Sequence, residues 1–205
     1  ICGRSILYVS MGTIYQLVQR HKRAAILREV MHHLDKIDDE FSTTNDQQQL
    51  VKRIIREMNL DDSKWPPRQL QWFINKQKDE GLRAQHLDHG GDPYQRQMVA
   101  VYRAYEEACQ RSGSVDFAEL LLRAHELWRD RPDVLQHYRA RFGAILVDEF
   151  QDTNAIQYAW LRMLAGDSGR VFVVGDDDQS IYGWRGARVE NIHDVQSDFP
   201  GVNLV

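Results

Sequence analysis

Two short apolar runs, each ending at carboxylates, constrain the fold of this 205-residue chain more than any other feature. The runs span residues 144–147 and 171–174, and they are rich in Val and Ile, as buried strands of a parallel sheet are. The residues between them predict an amphipathic helix. Thr153 or Asn154 could be its N-cap, and Gly166 can end it. Its apolar face contains Ile156, Trp160, Leu161 and Leu164. Strand, helix and strand together predict a parallel, right-handed βαβ unit.

Polar side chains follow both predicted strands. Asp148 and Glu149 come directly after the first strand, and Asp176 and Gln179 follow the second. In open α/β sheets, ligands bind at the carboxyl ends of the strands. An aspartate there can hold Mg²⁺, a glutamate can orient or deprotonate an attacking water, and a neutral amide can contact a terminal phosphate without repelling it. The pattern therefore predicts a site for nucleotide hydrolysis.

An aromatic and basic segment comes after the second strand. It contains Tyr182, Trp184, Arg185 and Arg188, and glycines flank the tryptophan. A tryptophan beside an arginine can stack on a nucleic-acid base while the arginine contacts the backbone. A core or interface position for Trp184 fits the pattern equally well, so both interpretations stay open.

Helices are predicted for most of the remaining chain. A strand at 6–9 and a helix at 14–34 come first, followed by a polar connector at 35–45. Apolar spacing and end signals such as Pro66–Pro67 and Gly81 then predict a small all-helical module with helices at 46–58, 66–81 and 93–112. Two further helices are predicted after it, at 116–128 and 132–142. Asp116 is the expected N-cap of the fourth of these helices, with Glu119 as its capping partner.

Composition excludes several classes of protein. No run of 18 apolar residues and no signal-peptide pattern occurs, so we expect no membrane span. Two cysteines are too few for a disulfide framework, which favours a reducing, cytoplasmic setting. The net charge of −4 gives no global sign of a nucleic-acid binder, but residues 143–205 hold ten acidic against four basic side chains, which a metal cation could offset.

The segment 145–192 resembles motifs II and III of the UvrD/Rep/PcrA group of superfamily-one DNA helicases. The resemblance lies in DEFQDTN at 148–154 and VGDDDQSIYGWRGA at 174–187. Upstream, 58–82 resembles the helical 1B subdomain of that family and 115–128 the segment that returns from it, so that about residues 40–205 are covered. The resemblance implies an α/β, predominantly helical fold, in which a partial RecA-like parallel sheet of domain 1A carries an all-helical 1B-like insertion. The implied domains are a divergent N-terminal segment at 1–45, a helical 1B-like subdomain at 46–112, and a RecA-like portion of domain 1A at 113–205.

The resemblance also implies roles for single residues. Asp148 would bind Mg²⁺–ATP, and Glu149 would be the catalytic carboxylate. Gln179 would contact the γ-phosphate region, and Gln151 and Asp152 would link the nucleotide to neighbouring motifs. Asp176 would also belong to the nucleotide-binding residues. Tyr182, Trp184 and Arg185 would lie towards single-stranded DNA, with Trp184 stacking on a base. The implied activity is ATP-driven 3′-to-5′ translocation and duplex unwinding in DNA repair. The implied partners are single-stranded and junction DNA, ATP, and repair proteins or the remainder of the helicase.

Two features of the family are absent from these 205 residues, the P-loop and the second RecA-like motor domain. A P-loop requires Gly-Lys-Ser/Thr, and no glycine here is followed by lysine. We therefore expect the chain alone to be a fragment that is not an active motor. Two alternatives remain, a non-catalytic DNA-binding or protein-interaction module, and a Mg²⁺ nuclease built on four carboxylates: Asp148, Glu149, Asp176 and Asp178.

Overall fold

A computed structural model describes residues 5–10, 44–88, 90–166, 170–180, 186–188 and 190–199. These residues contain three strands and seven α-helices. In chain order the elements are β1 (Ser5–Ser10), α1 (Thr44–Glu57), α2 (Pro67–Asp79), α3 (Pro93–Ser112), α4 (Phe117–Asp130), α5 (Pro132–Arg141), β2 (Phe142–Asp148), α6 (Ala155–Ala165), β3 (Val171–Val173) and α7 (Asn191–Asp198). The helix predicted at 14–34 lies outside the described residues.

The three strands form one parallel sheet in the order β1-β2-β3. Ser10 pairs with Asp148, and Val147 pairs with Val173, so the carboxyl ends of all three strands lie at one edge. This confirms the predicted α/β architecture. It also places the residues that follow β2 and β3 next to each other.

Helix α6, between β2 and β3, starts with a reciprocal capping box. The Asn154 side chain accepts a hydrogen bond from the backbone N–H of Gln157 at 3.0 Å, and the backbone N–H of Asn154 donates to the Gln157 side chain at 2.9 Å. This decides the open choice of N-cap in favour of Asn154, because the Thr153 hydroxyl donates instead to the carbonyl of Phe150. At the other end Gly166 has a φ of 57°, and Arg139 donates to the carbonyl of Met163 at 2.8 Å, which satisfies one of the last carbonyls of the helix.

The described residues divide into two compact units, 44–122 and 5–10 with 123–199. The first unit has an apolar core of its own, formed by α1, α2, α3 and the turn at 84–86. Its buried cysteine, Cys109, is a free thiol. The domain boundaries expected at 45 and 112 stay a prediction. In the described part of the chain, no helix combines the length and apolarity that a membrane span requires.

A buried cluster of charges lies inside the helical unit. The ammonium of Lys78, with 1% of its side chain exposed, contacts Asp116 at 2.7 Å and Glu119 at 2.8 Å. Arg83 contacts Glu119 at 2.7 Å, and the Tyr105 hydroxyl donates to Asp116 at 2.8 Å. Burial alone would lower the pKa of Lys78, but the two carboxylates outweigh it and hold that pKa above its ordinary value. Asp116 also accepts from the backbone N–H of Glu119 at 2.8 Å, as expected of an N-cap.

Candidate functional site

Asp148 and Glu149 lie where β2 ends and the chain turns sharply. Glu149 has φ 55° and ψ 44°, a left-handed conformation that is uncommon for a residue with a side chain. Its backbone N–H donates to the carboxylate of Asp148 at 3.0 Å. The Asp148 side chain is half-buried, whereas Glu149 is exposed. The strained turn therefore presents two adjacent carboxylates at the carboxyl edge of the sheet.

Gln151 joins the ends of β2 and β3. Its side chain is 1% exposed, its Nε2 donates to the carboxylate of Glu149 at 2.7 Å, and its Oε1 accepts from the backbone N–H of Asp176 at 3.1 Å. Gly175 allows this approach, because a Cβ at that position would lie 2.8 Å from the Oε1 of Gln151. One buried amide thus fixes both the Glu149 carboxylate and the backbone that follows β3.

Asp176 organises the turn after β3. Its carboxylate accepts from the Nε2 of Gln179 at 2.5 Å and from the backbone N–H of Asp178 at 3.1 Å. The side chains of all three residues are exposed. The Asp176 carboxylate therefore holds the Gln179 amide at the same edge as Glu149.

The structure brings together most of the residues expected on the nucleotide side. A continuous chain of hydrogen bonds runs from Glu149 through Gln151 and Asp176 to Gln179. Asp152, which is half-buried, ends the turn after Glu149 and donates its backbone N–H to the Glu149 carbonyl at 3.0 Å. The residues expected to contact DNA, Tyr182, Trp184 and Arg185, lie outside the described residues.

The carboxylates do not form a preformed metal cage. Among the residues that the structure describes, no group of three or more His, Cys, Asp or Glu side chains could hold a metal ion. The arrangement fits Mg²⁺ in its usual nucleotide-bound form, because that ion is held by one or two carboxylates together with substrate phosphates.

A second set of contacts at this edge was not predicted from the sequence. Asn191 is 4% exposed, and its side-chain amide donates to the backbone carbonyl of Thr153 at 3.0 Å and to its hydroxyl at 2.9 Å. The backbone N–H of Arg188 donates to the same carbonyl at 2.8 Å. These bonds tie the segment after residues 181–185 to the turn after Glu149. An asparagine at a helix start reads as a local cap, so no local signal pointed to a partner 38 positions away.

Comparison with known proteins gives a consistent result. Residues 11–200 match the family described as the UvrD/REP helicase N-terminal domain. The chain is 57% identical over 198 residues to proteins named DNA helicase II from Salmonella typhimurium and from Escherichia coli, which covers 95% of this chain and 26% of each relative. It is 37% identical over 161 residues to the ATP-dependent DNA helicase PcrA of Staphylococcus aureus, covering 78% of this chain and 22% of that protein.

The extent of these matches adds two facts. The chain spans about a quarter of the length of the curated relatives that it matches. The family match starts at residue 11, well upstream of residue 40, where the resemblance carried by the motifs starts.

Proposed function

The chain belongs to the UvrD/REP helicase N-terminal domain family, and from this premise we propose that it is part of an ATP-dependent 3′-to-5′ DNA helicase of DNA repair. The observation that supports the proposal is the hydrogen-bonded chain from Glu149 through Gln151 and Asp176 to Gln179. It supplies a carboxylate, a bridging amide and a terminal amide at the strand ends, where α/β proteins bind nucleotides. ATP, Mg²⁺ and DNA are the ligands of this proposal.

Asp148 and Glu149 have different tasks in the proposed site. Asp148, half-buried at the end of β2, would hold the Mg²⁺ of Mg²⁺–ATP, and that ion would neutralise charge on the phosphates. Glu149 orients the attacking water and accepts its proton. The hydrogen bond from Gln151 restricts the Glu149 carboxylate to one orientation, which makes Gln151 a positioning residue.

Gln179 contacts the γ-phosphate region in the proposed site. An amide is suited to this position because it can donate a hydrogen bond without adding negative charge beside the phosphates. Asp176 orients the Gln179 side chain through its carboxylate and is linked to Gln151 through its backbone. Asp152 completes the turn that places Glu149.

The DNA side of the proposed site is the segment with Tyr182, Trp184 and Arg185. We assign base stacking to Trp184 and backbone contacts to Arg185. The anchoring of Arg188 and Asn191 to Thr153 supports a link between this segment and the turn after Glu149. Partners beyond single-stranded and junction DNA, and the cytoplasmic setting, stay predictions.

The 205-residue chain by itself is not a motor in this proposal, because no Gly-Lys pair is present to hold the phosphates. The test is ATP hydrolysis by the purified chain with single-stranded DNA. We expect no hydrolysis above that of the Glu149→Gln variant. Robust DNA-stimulated hydrolysis that this substitution abolishes would contradict the assignment of the chain as an inactive part.

A non-catalytic DNA-binding module is the second candidate function. The helical unit with its own core supports it, since such a unit can bind a partner without nucleotide hydrolysis. Both candidates predict salt-dependent binding to single-stranded DNA that Trp184→Ala weakens. They differ in nucleotide dependence once a longer chain supplies a Gly-Lys-Ser/Thr segment: ATP–Mg²⁺ should then alter DNA affinity in a helicase part and leave it unchanged in a plain binding module.

A further inference from the structure

The left-handed backbone of Glu149 needs support from its surroundings. Such a conformation costs free energy for a residue with a side chain, and it persists only where neighbouring contacts determine it. The buried Gln151 amide supplies one support, because it joins the Glu149 carboxylate to the backbone after β3. A second buried amide, that of Asn191, contacts Thr153 at the end of the same turn. Two amides from different parts of the chain therefore act on one short turn.

Thr153 closes this turn with two hydrogen bonds to one carbonyl. Its side chain is fully buried, its hydroxyl donates to the carbonyl of Phe150 at 2.7 Å, and its backbone N–H donates to the same carbonyl at 3.1 Å. Phe150 follows Glu149 directly, and its own N–H donates to the carbonyl of Val174 at 3.0 Å. Both backbone polar groups of Phe150 are thus held, which restricts the chain immediately after Glu149.

Asn191 determines the direction in which the Thr153 hydroxyl donates. The Nδ2 of Asn191 carries two hydrogens and bonds two oxygens of Thr153, the carbonyl at 3.0 Å and the hydroxyl at 2.9 Å. A carbonyl can only accept, so the group that meets it is the NH₂ and not the amide oxygen. The hydroxyl hydrogen cannot point at this donor and stays directed at the Phe150 carbonyl. The three groups therefore form a chain of hydrogen bonds with a single direction.

We propose that Asn191 is a positioning residue for Glu149. Through the Thr153 hydroxyl and the Phe150 carbonyl, it holds the turn that keeps the Glu149 backbone left-handed. The inference rests on the proposed function, in which the Glu149 carboxylate orients the attacking water and has to be held within about 0.5 Å of its productive position. Gln151 restricts the carboxylate itself, whereas Asn191 restricts the backbone that carries it.

The experiment uses NMR spectroscopy of the whole, isotope-labelled chain. A residue with positive φ gives a strong NOE between its own N–H and Hα, because these hydrogens lie closer together than at negative φ. We expect this signal at Glu149 of the parent chain. Asn191→Asp keeps the size of the side chain but replaces the donor with an acceptor, which repels the Thr153 carbonyl and draws the hydroxyl hydrogen away from Phe150. Most of the strong NOE at Glu149 should then be lost.

A second pair of variants tests the hydroxyl directly. Thr153→Val keeps the size of the side chain without the hydroxyl and should also lose most of the Glu149 NOE. Thr153→Ser retains the hydroxyl and should retain the NOE. This pair decides the question even if Asn191→Asp fails to fold, because neither change introduces a buried charge.

The chain provides a matched control on α7. Ser197 is exposed and donates to the carbonyl of Asp194, so Ser197→Asp adds the same negative charge to the same helix as Asn191→Asp does. It should leave the Glu149 NOE at the intensity of the parent chain. Backbone NOEs between β2 and β3 show for every variant whether the sheet is folded.

The outcomes separate this inference from the proposed function. If Asn191→Asp shifts the resonances of α7 while Glu149 keeps its strong NOE, Asn191 only anchors α7 and the inference is wrong. It is equally wrong if Thr153→Val keeps the NOE in a folded sheet, or if the parent chain lacks it. A failure of the proposed function would appear in the hydrolysis assay and would leave the backbone signal of Glu149 unchanged.

Discussion

Gln151 is the single residue on which the geometry of the candidate site most depends. Its buried amide holds both Glu149 and the backbone of Asp176, so Gln151→Ala leaves the Asp176 N–H without that acceptor. We expect a loss of about 1–3 kcal/mol in the free energy of unfolding. Gln136→Ala, at an exposed position of α5, should change it by less than about 0.5 kcal/mol. Urea denaturation measures both, and equal values would contradict a bridging role for Gln151.

Gly175 and Gln151 should be energetically coupled. Gly175→Ala would place a Cβ 2.8 Å from the Oε1 of Gln151 and 3.3 Å from its backbone nitrogen, so the end of β3 must shift. We expect Gly175→Ala to destabilise the parent chain by about 1–3 kcal/mol. In a Gln151→Ala background the same change should cost less, because the nearest clashing atom is gone. A double-mutant cycle gives the coupling energy, and additive effects would argue against this contact.

At the scale of secondary-structure elements, Lys78 holds α2 to the start of α4. Lys78→Met leaves Asp116 and Glu119 buried beside an apolar side chain, and we expect it to destabilise the chain by about 3–5 kcal/mol. The exposed pair of Arg53 and Glu57 is the control, because Arg53→Ala should cost at most about 1 kcal/mol. Chemical denaturation measures both losses. Similar losses from the two changes would mean that the buried cluster stabilises the chain no more than an exposed ion pair does.

The same cluster predicts how stability depends on alkaline pH. The pKa of Lys78 is raised in the folded chain, so its stabilising effect is fully present below the pKa of an unfolded lysine, about 10.4, and is lost as pH rises through the folded value. The stability difference between the parent chain and Lys78→Met should therefore not shrink from pH 7 to 9. It should shrink only at pH values above about 10.4. A difference that shrinks already between pH 7 and 9 would contradict the raised pKa.

The contacts of Asn191 anchor the start of α7, and hydrogen exchange at a single backbone N–H can test this. Asn191→Ala removes two hydrogen bonds to Thr153 and should speed hydrogen exchange at the backbone N–H of Arg188, which also bonds Thr153. Tyr158→Phe is a matched control, because it removes only the hydrogen bond from the Tyr158 hydroxyl to Asp198 at the far end of α7. Unchanged exchange at Arg188 in Asn191→Ala would mean that the segment is held by other contacts.

Local signals explain which elements could be predicted from the sequence. The capping box of Asn154, the proline at the start of α3 and the left-handed Gly113 at its end act within one helical turn, so each boundary follows from the adjacent residues. Lys78 and Asp116 lie 38 positions apart, and no periodicity shows that a lysine on an amphipathic helix will be buried against two acids. The bridge by Gln151 was equally hidden, since only the fold brings Asp176 within reach.

At the scale of the whole molecule, the two units differ in how their contacts are distributed along the chain. The core of the helical unit comes entirely from residues 51–109, whereas the sheet joins β1 to strands that begin at Phe142. The candidate site could be predicted from the motifs after β2 and β3, because these strands are neighbours in the sheet. Their pairing depends only on the short crossover through α6. The apolar run at 6–9 predicted a strand, but no signal in the sequence predicted that this strand lies beside β2.

The pairing of β1 with β2 has a consequence for the order of events during synthesis. Ser5 pairs with Phe142, so β1 leaves the ribosome long before its neighbour exists. At about 5–20 residues per second this delay is on the order of ten seconds, ample time for helices 51–109 to collapse on their own core. During that interval the backbone groups of β1 lack the partner strand that they have in the folded chain. β1 can therefore pair with β2 only after residue 148 has been synthesised and has left the ribosome.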